Sequence, residues 1–182
     1  MTAHVCSGAG LSYTTFKMTQ ITVPRLPDNV LSDSEVAFIS SGPRPQGQLR
    51  GASHALATVE VTVTNTGRLA GDEVVFLFHN ASHAAAEWSQ RPDSEGPDPL
   101  AIKQLVGFER VRLEPNQSKL VRFPVSVRML SNVDKHGVRH SLAGMHELIL
   151  SRGHGEEIRH QLMLRLPPSA SGRVVLGQGP NL

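Results

Sequence analysis

The stretch VEVTVTNTGRLAGDEVVFLF, residues 59–78, decides the fold. Val59, Val61 and Val63 alternate with Glu60, Thr62 and Thr64, so apolar β-branched residues face one way and polar ones the other, the period of a half-buried strand. Asn65, Thr66 and Gly67 break the alternation with residues that tolerate left-handed backbone, and Gly71 adds a second permissive point. The sequence therefore predicts a chain reversal, read as a hairpin. Val74 to Phe78 is an unbroken apolar run, too short for most helices and rich in β-branched and aromatic types. It reads as a strand covered on both faces, which requires a second layer of protein.

Working outward, Lys103 to Leu113 (KQLVGFERVRL) sets Val106 and Phe108 on one parity and Val111 and Leu113 on the other. A bulge near Glu109 or Gly107 would reconcile the two faces. Glu114 to Gln117 forms a turn, and Lys119 to Val127 returns with Val121, Phe123, Val125 and Val127 on one parity, a second predicted hairpin. Pro124 cannot donate to a ladder, so its strand is expected at a sheet edge or locally unpaired. Leu130 to Asp134, Val138 to Leu142, the run around His146, Leu148 and Leu150, and Glu156 to Leu166 add further short strands. Toward the N-terminus, Leu11 to Val23 favours one extended strand or two short ones. Residues 24–55, rich in Pro, Gly and Ser, read as a surface excursion in which only Val36 to Ile39 could pair as a strand. Residues 79–103 read as a second excursion, with room for one helical turn at Ala84 to Trp88. No persuasive helix and no internal repeat are visible. The pattern predicts an all-β, immunoglobulin or fibronectin type III-like antiparallel sandwich of about seven strands.

With 182 residues, 39% of them hydrophobic, the chain is long enough to bury one core. A formal net charge of +2 does not imply a polyanion partner, so no nucleic acid is expected. Cys6, the one cysteine, cannot form an internal disulfide. The opening MTAHVCSGAG lacks a basic start followed by an apolar core, and no apolar run approaches spanning length, so neither an export signal nor a membrane partner is predicted.

Five ordered motifs carry a family resemblance: Gly10 to Phe16 (GLSYTTF), Val63 to Gly67 (VTNTG), Gly71 to Val75 (GDEVV), Lys103 to Val111 (KQLVGFERV) and Asp134 to Gly137 (DKHG). In order and spacing they resemble the fibronectin type III-like domain that ends many family 3 glycoside hydrolases, with wording most similar to β-xylosidases of plant or algal type. The resemblance covers residues 10–165. It departs from the family in three places. Val5 to Ala9 stands where an aromatic-rich Pro-Phe-Gly segment is usual, Pro115-Asn116 replaces a Pro-Gly turn, and His146 replaces a tyrosine. The implied organisation is a remnant or altered segment at 1–9, the domain at 10–166 with long loops at 24–55 and 79–103, and a flexible tail at 167–182. The family hydrolyses β-linked sugars with retention, through an aspartate nucleophile on an upstream barrel and an acid/base carboxyl from that barrel or the next domain. Neither domain is represented, and none of the family's catalytic motifs matches a position in this sequence.

The residues that suggest chemistry are therefore weighed against structural roles. Asp72, Glu73 and Glu109 could supply a carboxylate pair. Asp72 falls in a turn and Glu109 has Arg110 and Arg112 beside it, so surface ion pairing is the reading adopted. His79/His83 and His136/His140 are each four apart but lie on loops and turns without a third ligand, and His160 reads as a core-edge residue with one bonded nitrogen. Cys6 has no neighbouring base. Arg110, Arg112, Arg122 and Arg128 form either a basic stripe or a solvated or interdomain face. Trp88 either stacks on a sugar or pins its loop to the sandwich. Sequons stand at Asn80 and Asn116, relevant only along a secretory route. No catalytic, cofactor-binding or metal residue is assigned. The expected role is a non-catalytic module bracing the barrel and sandwich domains of a family 3 enzyme, inactive alone, with weak glycan contact at most. The alternative is a stand-alone glycan- or protein-binding sandwich. Localisation is left open: extracellular or cell wall if the parent enzyme is secreted.

Overall fold

The computed structural model describes residues 12–19, 29–40, 55–92, 94, 100–155 and 157–178. Cys6, the 1–9 segment, Gly10 and Leu11 of the first motif, and most of 24–55 lie outside the described residues. The strands are β1 (Phe16–Thr19), β2 (Asn29–Val30), β3 (Ala55–Asn65), β4 (Gly71–Asn80), β5 (Gln104–Leu113) and β6 (Ser118–Ser126), then β7 (Asn132–Val133), β8 (Val138–Leu142), β9 (Gly144–Ser151), β10 (Ile158–Arg165) and β11 (Arg173–Gln178). Two helices, α1 (Asp33–Ser40) and α2 (Ser82–Ser89), accompany them. The sheets run β1-β3-β6, β2-β10-β9-β4-β5 and β11-β8-β7, antiparallel apart from the two-residue pairing of β2 with β10. The all-β sandwich read from the sequence is the fold found.

The two predicted hairpins are not hairpins. β3 pairs with β1 and β6, whereas β4 pairs with β5 and β9, so residues 66–70 carry the chain from one sheet to the other. The Glu114–Gln117 turn likewise carries β5 across to β6. A crossing and a hairpin need the same turn residues, and alternation fixes which side chains point inward but not which sheet they belong to. Crossing sets Val59, Val61 and Val63 opposite Val75, Leu77, Val111 and Leu113, all fully buried in one core with Leu148, Leu150, Leu162 and Leu164. Asn65, also fully buried, holds both crossings. Its Oδ1 accepts from Thr14 Oγ1 (2.8 Å) and Gly67 N (3.0 Å), and its Nδ2 donates to the carbonyls of Leu69 (2.7 Å) and Leu113 (3.0 Å). Its backbone exchanges bonds with Gln117 O and Asn116 N, each at 2.9 Å. A buried amide that uses all four of its hydrogen-bonding sites has no desolvation left uncompensated.

Several local expectations hold. β6, with Pro124, lies at the edge of its sheet, and the register slips between Leu77 and Phe78, where Gly107 and Leu105 face them and Val106 is the extra residue. Other expectations are corrected. β4 is covered on one face only, since Val75, Leu77 and His79 are buried while Val74, Phe76 and Phe78 are half-buried. Val36 to Ile39 belongs to α1 rather than a strand, because Ser32 and Glu35 form a capping box: Ser32 N donates to Glu35 Oε2 at 2.8 Å and Glu35 N to Ser32 Oγ at 3.4 Å. α2 is a complete helix rather than one turn, anchored by Ala84 and Trp88, four apart and both buried against Leu142. The stretch read as a flexible tail contains β11, paired with β8, with Val174 and Leu176 buried; Ser171 and Gly172, both at positive φ, turn the chain into it.

Candidate functional site

The residues weighed in the sequence do not converge. Asp72 pairs with Arg110 (2.5 Å) and Arg112 (3.7 Å), Glu73 with Arg152 (2.9 Å), and Glu109 stands exposed on β5. Arg122 pairs with Glu60 at 2.6 Å on β6, in the opposite sheet from Arg110 and Arg112, so the four arginines form no single stripe. Of the histidine pairs, His79 is buried and His83 exposed; His136 is exposed on a turn while His140 is buried, 3.8 Å from Asp134. His160 is buried, its Nε2 has no hydrogen-bond partner, and burial lowers its pKa. Among the described residues no group of three or more His, Cys, Asp or Glu is placed to hold a metal ion, and no helix is long and apolar enough to cross a membrane. Trp88 is 9% exposed, and the guanidinium groups of Arg91 and Arg173 each lie 5.3 Å from its ring centroid. It pins α2 to the fold and offers little ring surface to a sugar. Asn80 Oδ1 accepts from Ser82 N (2.8 Å) at the start of α2, and Asn116 stands exposed on its turn at φ 62°.

The feature that stands out is the outer face of the five-stranded sheet. The register sets Phe76 beside Phe108, and Phe78 between Leu105 and Ile149. The rings of Phe76 and Phe78 are 6.0 Å apart, tilted by 35°. Phe108 is 66% and Leu105 48% exposed, and Ile102, just before β5, is 86% exposed. Charged pairs edge this strip. Lys103 Nζ lies 5.9 Å from the Phe78 ring centroid and bonds Glu157, while Arg159 bonds Glu157 (2.7 Å) and Glu147 (3.1 Å). The Lys103 bond, aided by Arg159, holds the Glu157 carboxyl below its usual range, and the bond to Glu157 raises Arg159 further. Aromatic side chains clustered on a sheet face beside a network of paired charges have the composition of a docking surface. The sequence contained the signal: in VVFLF the residues of the second parity are as apolar as those of the first.

A two-layer sandwich with sheet-crossing connections between its central strands defines a module of the fibronectin type III class. Residues 73–153 match the family described as the fibronectin type III-like domain. A probable exo-1,4-β-xylosidase of Aspergillus oryzae is 33% identical over 71% of this chain and 14% of its own length. β-D-xylosidase 3 of Arabidopsis thaliana is 33% identical over 84% of the chain and 18% of its own length. A solved GH3 exo-β-xylosidase, in complex with a xylobiose aziridine probe, superposes with a TM-score of 0.62 at 24% identity, over 96% of this chain and 19% of that one. The chain belongs to the fibronectin type III-like domain family, in the form carried by family 3 glycoside hydrolases. It spans less than a fifth of the length of each of these relatives.

Proposed function

We propose that this chain is the non-catalytic fibronectin type III-like module of a family 3, β-xylosidase-like enzyme and that it braces the catalytic domains. Residues 10–166 form the module in this reading, with β11 completing it. The observation that supports the docking role is the strip in which exposed Leu105 and Phe108 adjoin half-buried Phe76 and Phe78. More than four-fifths of the length of these relatives lies outside the matched stretch, and in this reading that remainder supplies the cover for such a face. Burying a phenylalanine such as Phe108 contributes roughly 1.5–3 kcal/mol, enough for a few such residues to hold two domains in register. The module supplies shape and rigidity while the barrel supplies the acids that act on the sugar.

The reading is tested by assaying the purified chain on aryl xylosides and glucosides, then adding it to a family 3 xylosidase that lacks its own copy of this domain. Release of sugar by the chain alone would overturn it. A rise in the melting temperature of the truncated enzyme, lost with Phe108→Arg, is the expected result.

A further inference from the structure

We propose that His79 and His146 form an acid-sensitive latch that holds α2 against β8 and β9 and lets it go when either ring takes up a second proton. The inference concerns the far end of the sandwich from the two crossings and does not depend on the bracing role. His79 is the penultimate residue of β4, three positions before α2 begins, and His146 lies on β9; both are buried. Their rings stack at 5.1 Å, and His79 Nε2 is 2.9 Å from His146 Nδ1. His146 Nε2 lies 2.9 Å from the carbonyl oxygen of Leu142, the last residue of β8, whose side chain packs against Ala84 and Trp88 of α2. One chain of hydrogen bonds thus joins β4, β9 and β8 beneath the helix.

The carbonyl fixes every proton in that chain. Leu142 O can only accept, so His146 Nε2 carries the hydrogen and His146 Nδ1 accepts from His79 Nε2–H. His79 Nδ1 is left as a buried acceptor without a partner. A further proton has two destinations. On His79 Nδ1 it makes a cation with no acceptor; on His146 Nδ1 it sets two N–H groups against each other across 2.9 Å. Either outcome opposes burial, and opening α2 to water relieves both. Burial first, and His146 second, push the His79 pKa down to about 3, and burial lowers that of His146.

Among the described residues no carboxylate is bonded to either ring to offset such a charge. On α2, His83 is exposed, and Glu87 directs Oε2 toward Gly144. On β8, His140 lies beside Asp134. On β9, Glu147 is bonded to Arg159. On β10, His160 adds another buried imidazole rather than an acid. None of the hydrogen bonds or ion pairs described joins an acid to either ring of the latch.

Trp88, the one tryptophan, sits on the helix that would move, so its emission reads the latch directly. The full chain is titrated from pH 7.5 to 3 while Trp88 emission and far-ultraviolet circular dichroism are followed together. A red shift of emission with a midpoint between pH 6.5 and 3, while the β signal persists, is expected. In His79→Phe/His146→Tyr that midpoint should fall by at least one pH unit. Unchanged emission down to pH 4, loss of the β signal in step with it, or an unmoved midpoint in the folded variant each overturns the proposal. If the variant does not fold, the wild-type imidazole resonances decide: His79 and His146 must titrate together with the emission change, and titration apart from it refutes the latch.

Discussion

The side-chain amide of Asn65 donates to the carbonyl oxygen of Leu113 at 3.0 Å and so ties together the two points at which the chain changes sheets, 48 residues apart in sequence. Four side-chain bonds converge on this one fully buried residue. Removing them takes this partner from the Leu113 carbonyl and the Thr14 hydroxyl inside the core, and from the Leu69 carbonyl and the Gly67 N–H at the half-buried turn. Asn65→Ala should therefore lower unfolding stability by about 2–4 kcal/mol. Asn65→Asp should be at least as damaging, since it points an acceptor at two carbonyls. Chemical denaturation of the three proteins checks the order.

Gly67 sits against the same knot. A Cβ there would meet Thr14 Oγ1 at 2.1 Å and Thr15 N at 2.8 Å, whereas a Cβ on Gly137, at φ +79°, would meet nothing within 4 Å. Gly67→Ala is thus an overpacking change, expected to destabilise by about 1–3 kcal/mol, and Gly137→Ala a backbone-strain change of about 1 kcal/mol. Thermal melts of the pair should rank Gly67→Ala as the worse.

Much of this was legible in the sequence, and what was hidden was hidden for identifiable reasons. Alternation in VEVTVTN and in LVRFPVSV fixed which residues face the core, and five ordered motifs fixed the class. Nothing in a run of alternating residues records whether the next strand pairs with it or lies across the core, so both crossings read as hairpins. α1 carried a readable signal, Ser32 to Glu35, obscured by the Pro- and Gly-rich stretch around it. β11 was masked in the same way by Gly and Pro flanking VVL. The His79–His146 contact joins residues 67 apart on strands that become neighbours only once β4 is placed next to β9. The aromatic strip was read as buried because an apolar parity shows that cover is needed without showing where it comes from.

Stability should depend on pH with a definite sign. Both His79 and His146 have folded pKa values below the unfolded value of 6.5, so their contribution is fully present above that pH and is lost as pH falls, for His79 down to about 3. Between pH 7.5 and 5 His79 alone should remove about 2 kcal/mol, and His146 acts in the same direction. Urea midpoints across that range should fall; a flat or rising profile would contradict the burial of two neutral rings.

Trp88 should be silent toward sugars. With Arg91 and Arg173 each 5.3 Å from its ring centroid and only 9% of the residue exposed, xylo-oligosaccharides at millimolar concentration should leave its fluorescence unchanged. A saturable quench would favour a glycan-binding module instead.

The account stands or falls on whether the Phe76–Phe108 face is a docking surface. Isothermal titration of this chain into the catalytic domains of a family 3 β-xylosidase that lack their own copy measures it directly. Saturable binding that vanishes with Phe108→Arg, a substitution at a 66% exposed position where the fold is expected to tolerate it, is the predicted result. Binding of equal strength by both proteins, or by neither, would contradict it.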